Sequence, residues 1–181
     1  IAHAVKDFLV EQMLAFNPFW DSKSAISEEK RALVDRVARA VEGSFASQPL
    51  TRAEIHLALA ASYVGVGDHQ NRAVQAQKAL EIRQRLLPAT HSDTLHAAAE
   101  LAESYIRLGL NDQAEKLLTE WLRKVRPSRN GASFGEAWLL YEKGWLLQVQ
   151  GRSDEALSYL HQSIAILNRT IGAGHIRSRN V

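Results

Sequence analysis

LAESYIRLGLNDQAEKLL, residues 101–118, is the stretch whose reading decides the fold. Leu101 and Tyr105 stand four residues apart, the spacing of one helix face. Gly109 interrupts the run. A glycine there can adopt the left-handed conformation that closes a helix and lets the chain reverse. Asn111 follows as an N-cap for a second helix, with Asp112 in its first turn, where the helix dipole favours an acid. The stretch therefore predicts a helical hairpin.

The pattern recurs along the chain. Gly67, Gly109 and Gly151 are spaced 42 residues apart. Four residues before them stand Tyr63, Tyr105 and Leu147, and eight before the first two stand Leu59 and Leu101. Seven before come small residues, Ala60, Ala102 and Gly144, which let two helices approach closely. Five after come Arg72, Ala114 and Ala156; nine after come Ala76, Leu118 and Leu160. Ser153 repeats the N-cap expected at Asn111. Thr51 with Glu54 and Ser133 with Glu136 have capping-box spacing, marking starts of the first helix of a hairpin. A period of this length is the mark of a repeat array. The expected fold is all-α, an α-solenoid of antiparallel helix hairpins with about three units. The boundaries expected are 1–50 for an N-terminal helical pair and 51–181 for the solenoid, with repeats near 51–92, 93–132 and 133–174.

The order of small residue, Tyr, Gly and Ala resembles the tetratricopeptide repeat over roughly residues 51–170. The period resembles the longer variant found in kinesin light chains rather than the usual ~34 residues. Arg72 departs from the pattern in the first copy. Trp121 and Ser163 replace an expected Ala near the end of the second helix, where Ala79 conforms. These departures imply less regular interfaces.

Residues 1–50 lack the signature. Residues 2–16 read as an amphipathic helix with Val5, Phe8, Leu9, Met13 and Phe16 on its apolar side. Asn17-Pro18 stops it, and Phe19 and Trp20 follow in a loop. Ser27 is expected to cap a second helix whose apolar face carries Val34, Val37, Val41 and Phe45. This pair is read as a cap on the first repeat, with a docking or dimer element as the rival. The runs VKDFLVEQMLAFNPF (5–19) and GSFASQPLTRAEIHLALAASYVGVGD (43–68) resemble the start of bacterial sensor regions. These are found in CadC-type membrane-anchored winged-helix transcriptional regulators and in transmembrane serine/threonine kinases. That resemblance implies an extracytoplasmic, periplasmic domain of an inner-membrane protein; the alternative is cytoplasmic. Because the chain begins at Ile1, it reads as a piece of something longer.

Composition agrees with an ordinary folded domain: 46% hydrophobic and 23% charged residues, with few Gly and Pro to break helices. The net charge of +2 gives no field suited to DNA or anionic lipid, so direct nucleic-acid binding is not expected. The cluster Arg123, Lys124, Arg126 and Arg129 reads as a solvated loop. No apolar run is long enough to span a membrane, so any membrane link runs through a preceding span. The chain has no cysteine, which excludes disulfides and cysteine-zinc sites.

No phosphate loop, nucleophile elbow or HExxH occurs, and an enzyme is not expected. His91, Asp93 and His96 lie close in sequence, but the two histidines do not share a helix face, so neither metal nor cofactor is implied. His56 and His69 read as framework residues. In tetratricopeptide solenoids the first helix of each hairpin lines the concave face. By position this implies Leu57, Ala61 and Val64 from copy one, and His96, Ala99, Glu103, Ile106 and Arg107 from copy two. Copy three would contribute Trp138, Tyr141, Trp145 and Gln148. The aromatic stripe could bind a partner or be buried core, covered by a further repeat. Arg107 could pair with a carboxylate. The candidate binding residues are thus Glu103, Arg107, Trp138, Tyr141, Trp145 and Gln148. The expected partner is a protein or peptide, a second copy of the chain included. The expected role is a binding module, the sensor or regulatory domain of a bacterial signalling or transcription regulator. A dimerising scaffold is the alternative.

Overall fold

The computed structural model describes residues 23–125 and 133–171 and is all-α over them. Seven helices follow in order: α1 (Lys23–Gly43), α2 (Pro49–Gly65), α3 (His69–Leu86), α4 (Ser92–Arg107), α5 (Asn111–Val125), α6 (Phe134–Val149) and α7 (Ser153–Ile171). The helix expected at 2–16, its Asn17-Pro18 stop, the Phe19-Trp20 loop, Arg126 and Arg129 lie outside the described residues. The chain divides into two compact units, residues 1–82 and 83–181.

The three spaced glycines do what their period implied. Gly67, Gly109 and Gly151 have φ of 70°, 73° and 76°. Around each, two hydrogen bonds close the helix end. Asp68, Leu110 and Arg152 N–H donate to the carbonyls of Tyr63, Tyr105 and Leu147, and the glycine N–H groups donate to Val64, Ile106 and Gln148. The carbonyls of Asp68, Leu110 and Arg152 then accept from Arg72, Ala114 and Ala156, opening the next helix. One residue thus ends one helix with its N–H and starts the next with its C=O. This corrects the expected caps: α5 and α7 begin on Asn111 and Ser153, so the capping position falls one residue earlier.

Two other starts differ from expectation. Ser27 lies inside α1, which begins at Lys23, because the preceding residues accept helical geometry and one cap signal cannot stop it. Thr51 is buried inside α2, which begins at Pro49. A proline in the first turn forfeits no helical hydrogen bond, so it wins the start. Ser133 does cap α6, accepting from Glu136 N–H at 3.2 Å.

In the first unit, Val37, Ala38 and Val41 of α1 pack on Ile55 and Leu59 of α2, with Leu33, Val34 and Phe45 around them. Phe45 stands beyond the helix, at φ 58°, yet still joins this core. Tyr63 Oη donates to Asp35 at 2.6 Å, and Arg31 pairs with Asp68. Burial and the Asp35 carboxylate push the Tyr63 phenol well above its usual range. α2 and α3 meet through buried His56 and Gln75, whose Nδ1–H donates to Oε1 at 2.7 Å.

In the second unit α4 packs on α5 and α6, and α6 on α5 and α7. α6 and α7 run antiparallel: Gly144 faces Ala156 and Leu160, while Ser163 Oγ donates to the earlier Ala137 carbonyl at 2.7 Å. That bond gives the Ser163 departure its use. Trp121, the other departure, is 1% exposed and fills the core. α4 and α6 run side by side and parallel. Their first turns touch where Gly135 N–H donates to Ser92 Oγ at 3.1 Å, and farther along His96 meets Trp138.

Candidate binding face

The face begins with two helices held in register. A Cβ on Gly135 would stand 2.4 Å from the Ser92 carbonyl, so only glycine permits this approach of α6 to α4. Small Ala98, Ala99 and Ala102 on α4 are buried beneath. Close approach brings the longer side chains of both helices together on one surface.

Trp138, Tyr141 and Trp145 share that surface and are half-buried, neither core nor free. Trp138 meets Tyr141 edge-on with centroids 5.9 Å apart. Phe134 meets Trp138 in the same way at 5.9 Å. His96 on α4 approaches Trp138 at 6.3 Å. Farther along, the Arg107 guanidinium lies 4.9 Å from the Trp145 ring centroid, within cation–π range. Its Nε–H donates to Glu103 at 2.8 Å. His96 Nε2 stands 3.5 Å from Glu100. Burial, then Glu142 and Glu103, push the Tyr141 phenol above its ordinary value, with Arg107 opposing. The Trp138 indole N–H is shielded from solvent and finds no acceptor in the described chain, an uncommon state for a buried donor.

Five of the six candidate residues therefore fall into one continuous set: Glu103, Arg107, Trp138, Tyr141 and Trp145. Gln148 is exposed at the end of α6. Arg107 pairs with Glu103 of its own helix. Ala99 and Ile106 are buried and form the layer under the face. Leu57, Ala61 and Val64 lie in the first unit, with Leu57 half-buried and the other two exposed. Sequence reasoning missed Phe134 and Glu100. Phe134 stands four residues before Trp138, and Glu100 four after His96, so helical spacing could have added both.

A separate cleft of about 490 Å³ lies between α5, α6 and α7. Leu122, Leu140 and Leu147 line it with the paired Lys143 and Glu115, and it holds none of the candidate residues. Among the described residues no group of His, Asp or Glu could hold a metal ion, and no helix is long and apolar enough to cross a membrane.

Residues 93–169 match the family model of the tetratricopeptide repeat. No curated protein matches the chain. Among solved structures, a variant of the nearly identical TPR-like repeats of a kinesin light chain from Podosopora anserina is similar. It shares 20% identity, covers 93% of this chain and 86% of its own, and has a TM-score of 0.65.

Proposed function

We propose that the chain is a non-enzymatic module that captures a protein or peptide partner on the α4–α6 face, a reading supported by the match of residues 93–169 to the tetratricopeptide-repeat model. Tetratricopeptide repeats serve interaction and scaffolding, since stacked hairpins present extended surfaces rather than a preorganised catalytic centre. One observation carries the choice of face. Trp138, Tyr141 and Trp145 remain half-exposed although the small-residue layer beneath them is already closed. Rigid aromatic rings give large contact area at low entropic cost, as at the centres of protein interfaces. The binding residues are Glu103, Arg107, Trp138, Tyr141, Trp145 and Gln148.

The finer reading is a sensor or regulatory domain of a bacterial signalling or transcription regulator, on the extracytoplasmic side of the inner membrane. The resemblance of residues 5–19 and 43–68 to such regions supports it. The domain division at residue 50 belongs to the same reading.

The test uses peptides selected from a random display library against the full chain. Trp145→Ala should weaken their binding by about tenfold or more, the cost of truncating an interface hot spot. Its thermal midpoint should move by no more than about 3 °C, less than loss of a core aromatic would cause. A large fall in midpoint would assign Trp145 to the core. A mass that rises with concentration, and falls back in Trp145→Ala, would favour the dimerising scaffold.

A further inference from the structure

The half-buried rings of the α4–α6 face run in a line along α6: Trp138, Tyr141 and Trp145. From Trp138 to Trp145 the helix rises about 10 Å. Neighbouring rings stand nearly at right angles, 78° between Phe134 and Trp138 and 85° between Trp138 and Tyr141. A ring edge set beside a ring face forms a notch, in which a compact saturated ring packs against both.

The polar groups of the face divide unevenly. His96 approaches Glu100, Arg107 donates to Glu103, and both carboxylates have further partners, so charge gives no guide to what binds. The donors differ. Among the described residues Tyr141 Oη and Trp145 Nε1 meet no hydrogen-bond partner, and unlike the Trp138 indole N–H they are not closed off from solvent. Arg107 commits its Nε–H to Glu103 and holds its other guanidinium N–H groups near the Trp145 ring. The face therefore offers ring surface and donors, which suit a segment rich in acceptors.

We propose that the captured segment is proline-rich and docks in the polyproline II conformation, with its pyrrolidine rings along the Trp138–Tyr141–Trp145 line and its carbonyls on Tyr141 Oη and Trp145 Nε1. The inference rests on the partner-binding reading above and names the chemistry of the partner. Proline has no N–H to leave unpaired. A polyproline II segment makes no internal hydrogen bonds, so its carbonyls are available to outside donors. It repeats every three residues, about 9 Å, close to the rise from Trp138 to Trp145. It is extended before it binds, so docking costs little entropy. The other common modes fit less well. A helix needs an open apolar groove, and Ala98, Ala99 and Ala102 beneath this face are already buried. An added strand needs a sheet edge, and no strand occurs among the described residues.

The experiment titrates the full chain with decaproline, with a Gly-Ser peptide of equal length and with peptides from the display selection. Decaproline should bind and the Gly-Ser peptide should not. The selected peptides should carry prolines three residues apart, and replacing those prolines by Ala should weaken binding about tenfold. Tyr141→Phe keeps the ring and removes a hydroxyl that meets no partner among the described residues. It should weaken decaproline binding about three- to tenfold, the effect of one hydrogen bond, and leave the thermal midpoint in place. Decaproline binding no better than the Gly-Ser peptide, or proline-poor selected peptides that still need Trp145, would overturn the inference and leave the binding face standing. Peptides indifferent to Trp145→Ala, or a selection that yields none, would overturn both.

Discussion

At the scale of single residues, His56 gives the clearest physical test of the first unit. It is 2% exposed, and burial holds its imidazole below the ordinary histidine value, although the Gln75 hydrogen bond and Glu42 oppose the shift. Lys78 and Arg52 add to the depression. The unfolded chain takes up this proton near pH 6.5, while the folded chain resists it. The unfolded state therefore binds more protons just below that pH, and stability falls as pH drops. Above about pH 6.5 the stability tied to His56 is fully present. Urea denaturation at pH 7.5 and 5.5 should show the loss, and His56→Gln should flatten the difference; an equal slope in that variant would shift the cause elsewhere. The sequence placed His56 on the framework but could not show its partner. Gln75 lies 19 positions away, and only the hairpin brings it near.

At the scale of elements, glycines divide into two kinds. Gly109 and its two counterparts are needed for their dihedral angle. Gly135 and Gly144 are needed for space. A Cβ on Gly144 would meet Leu160 Cγ and Cδ2 at 2.8 Å and the Ala156 backbone carbonyl at 3.2 Å, whereas one on Gly135 would meet the Ser92 backbone carbonyl at 2.4 Å. The Leu160 side chain can shift part of the way and the Ala156 carbonyl needs to give only a few tenths of an ångström, but the Ser92 carbonyl cannot clear so close an approach. Gly135→Ala should therefore destabilise by about 3 kcal/mol, the upper range for overpacking. Gly144→Ala should cost less, about 1 to 2 kcal/mol, because the helix propensity gained by Ala offsets part of the overpacking. Chemical denaturation of both variants checks the order. The hairpins were legible because the capping glycines repeat at a fixed interval. The exact helix starts were less so: Asp68, Leu110 and Arg152 each serve two helices, and only Asp68 carries a capping side chain, which accepts from Asn71 N–H at 3.0 Å. Nor was the packing role of Gly135, which depends on a helix 43 positions earlier.

At the scale of the molecule, the near-neutral charge and helical composition fixed the class but not the setting. The family match lies within the second unit, where the aromatic face also lies. Most of that face could be read from the α6 stripe. Its α4 side was legible in part, since Glu103 and Arg107 follow by position, whereas the approach of His96 to Trp138 depends on how α4 and α6 pack. The proposed extracytoplasmic setting has a direct check: protease added outside intact spheroplasts should cleave the domain, and full protection would place it in the cytoplasm. One contact also has a consequence for how the chain acquires its structure. The Gly135 amide finds its acceptor on Ser92, at the start of α4, not within its own helix. The first turn of α6 is thus completed by an element made earlier. An α6 deprived of α4 would leave that amide without its acceptor and would fray at its start.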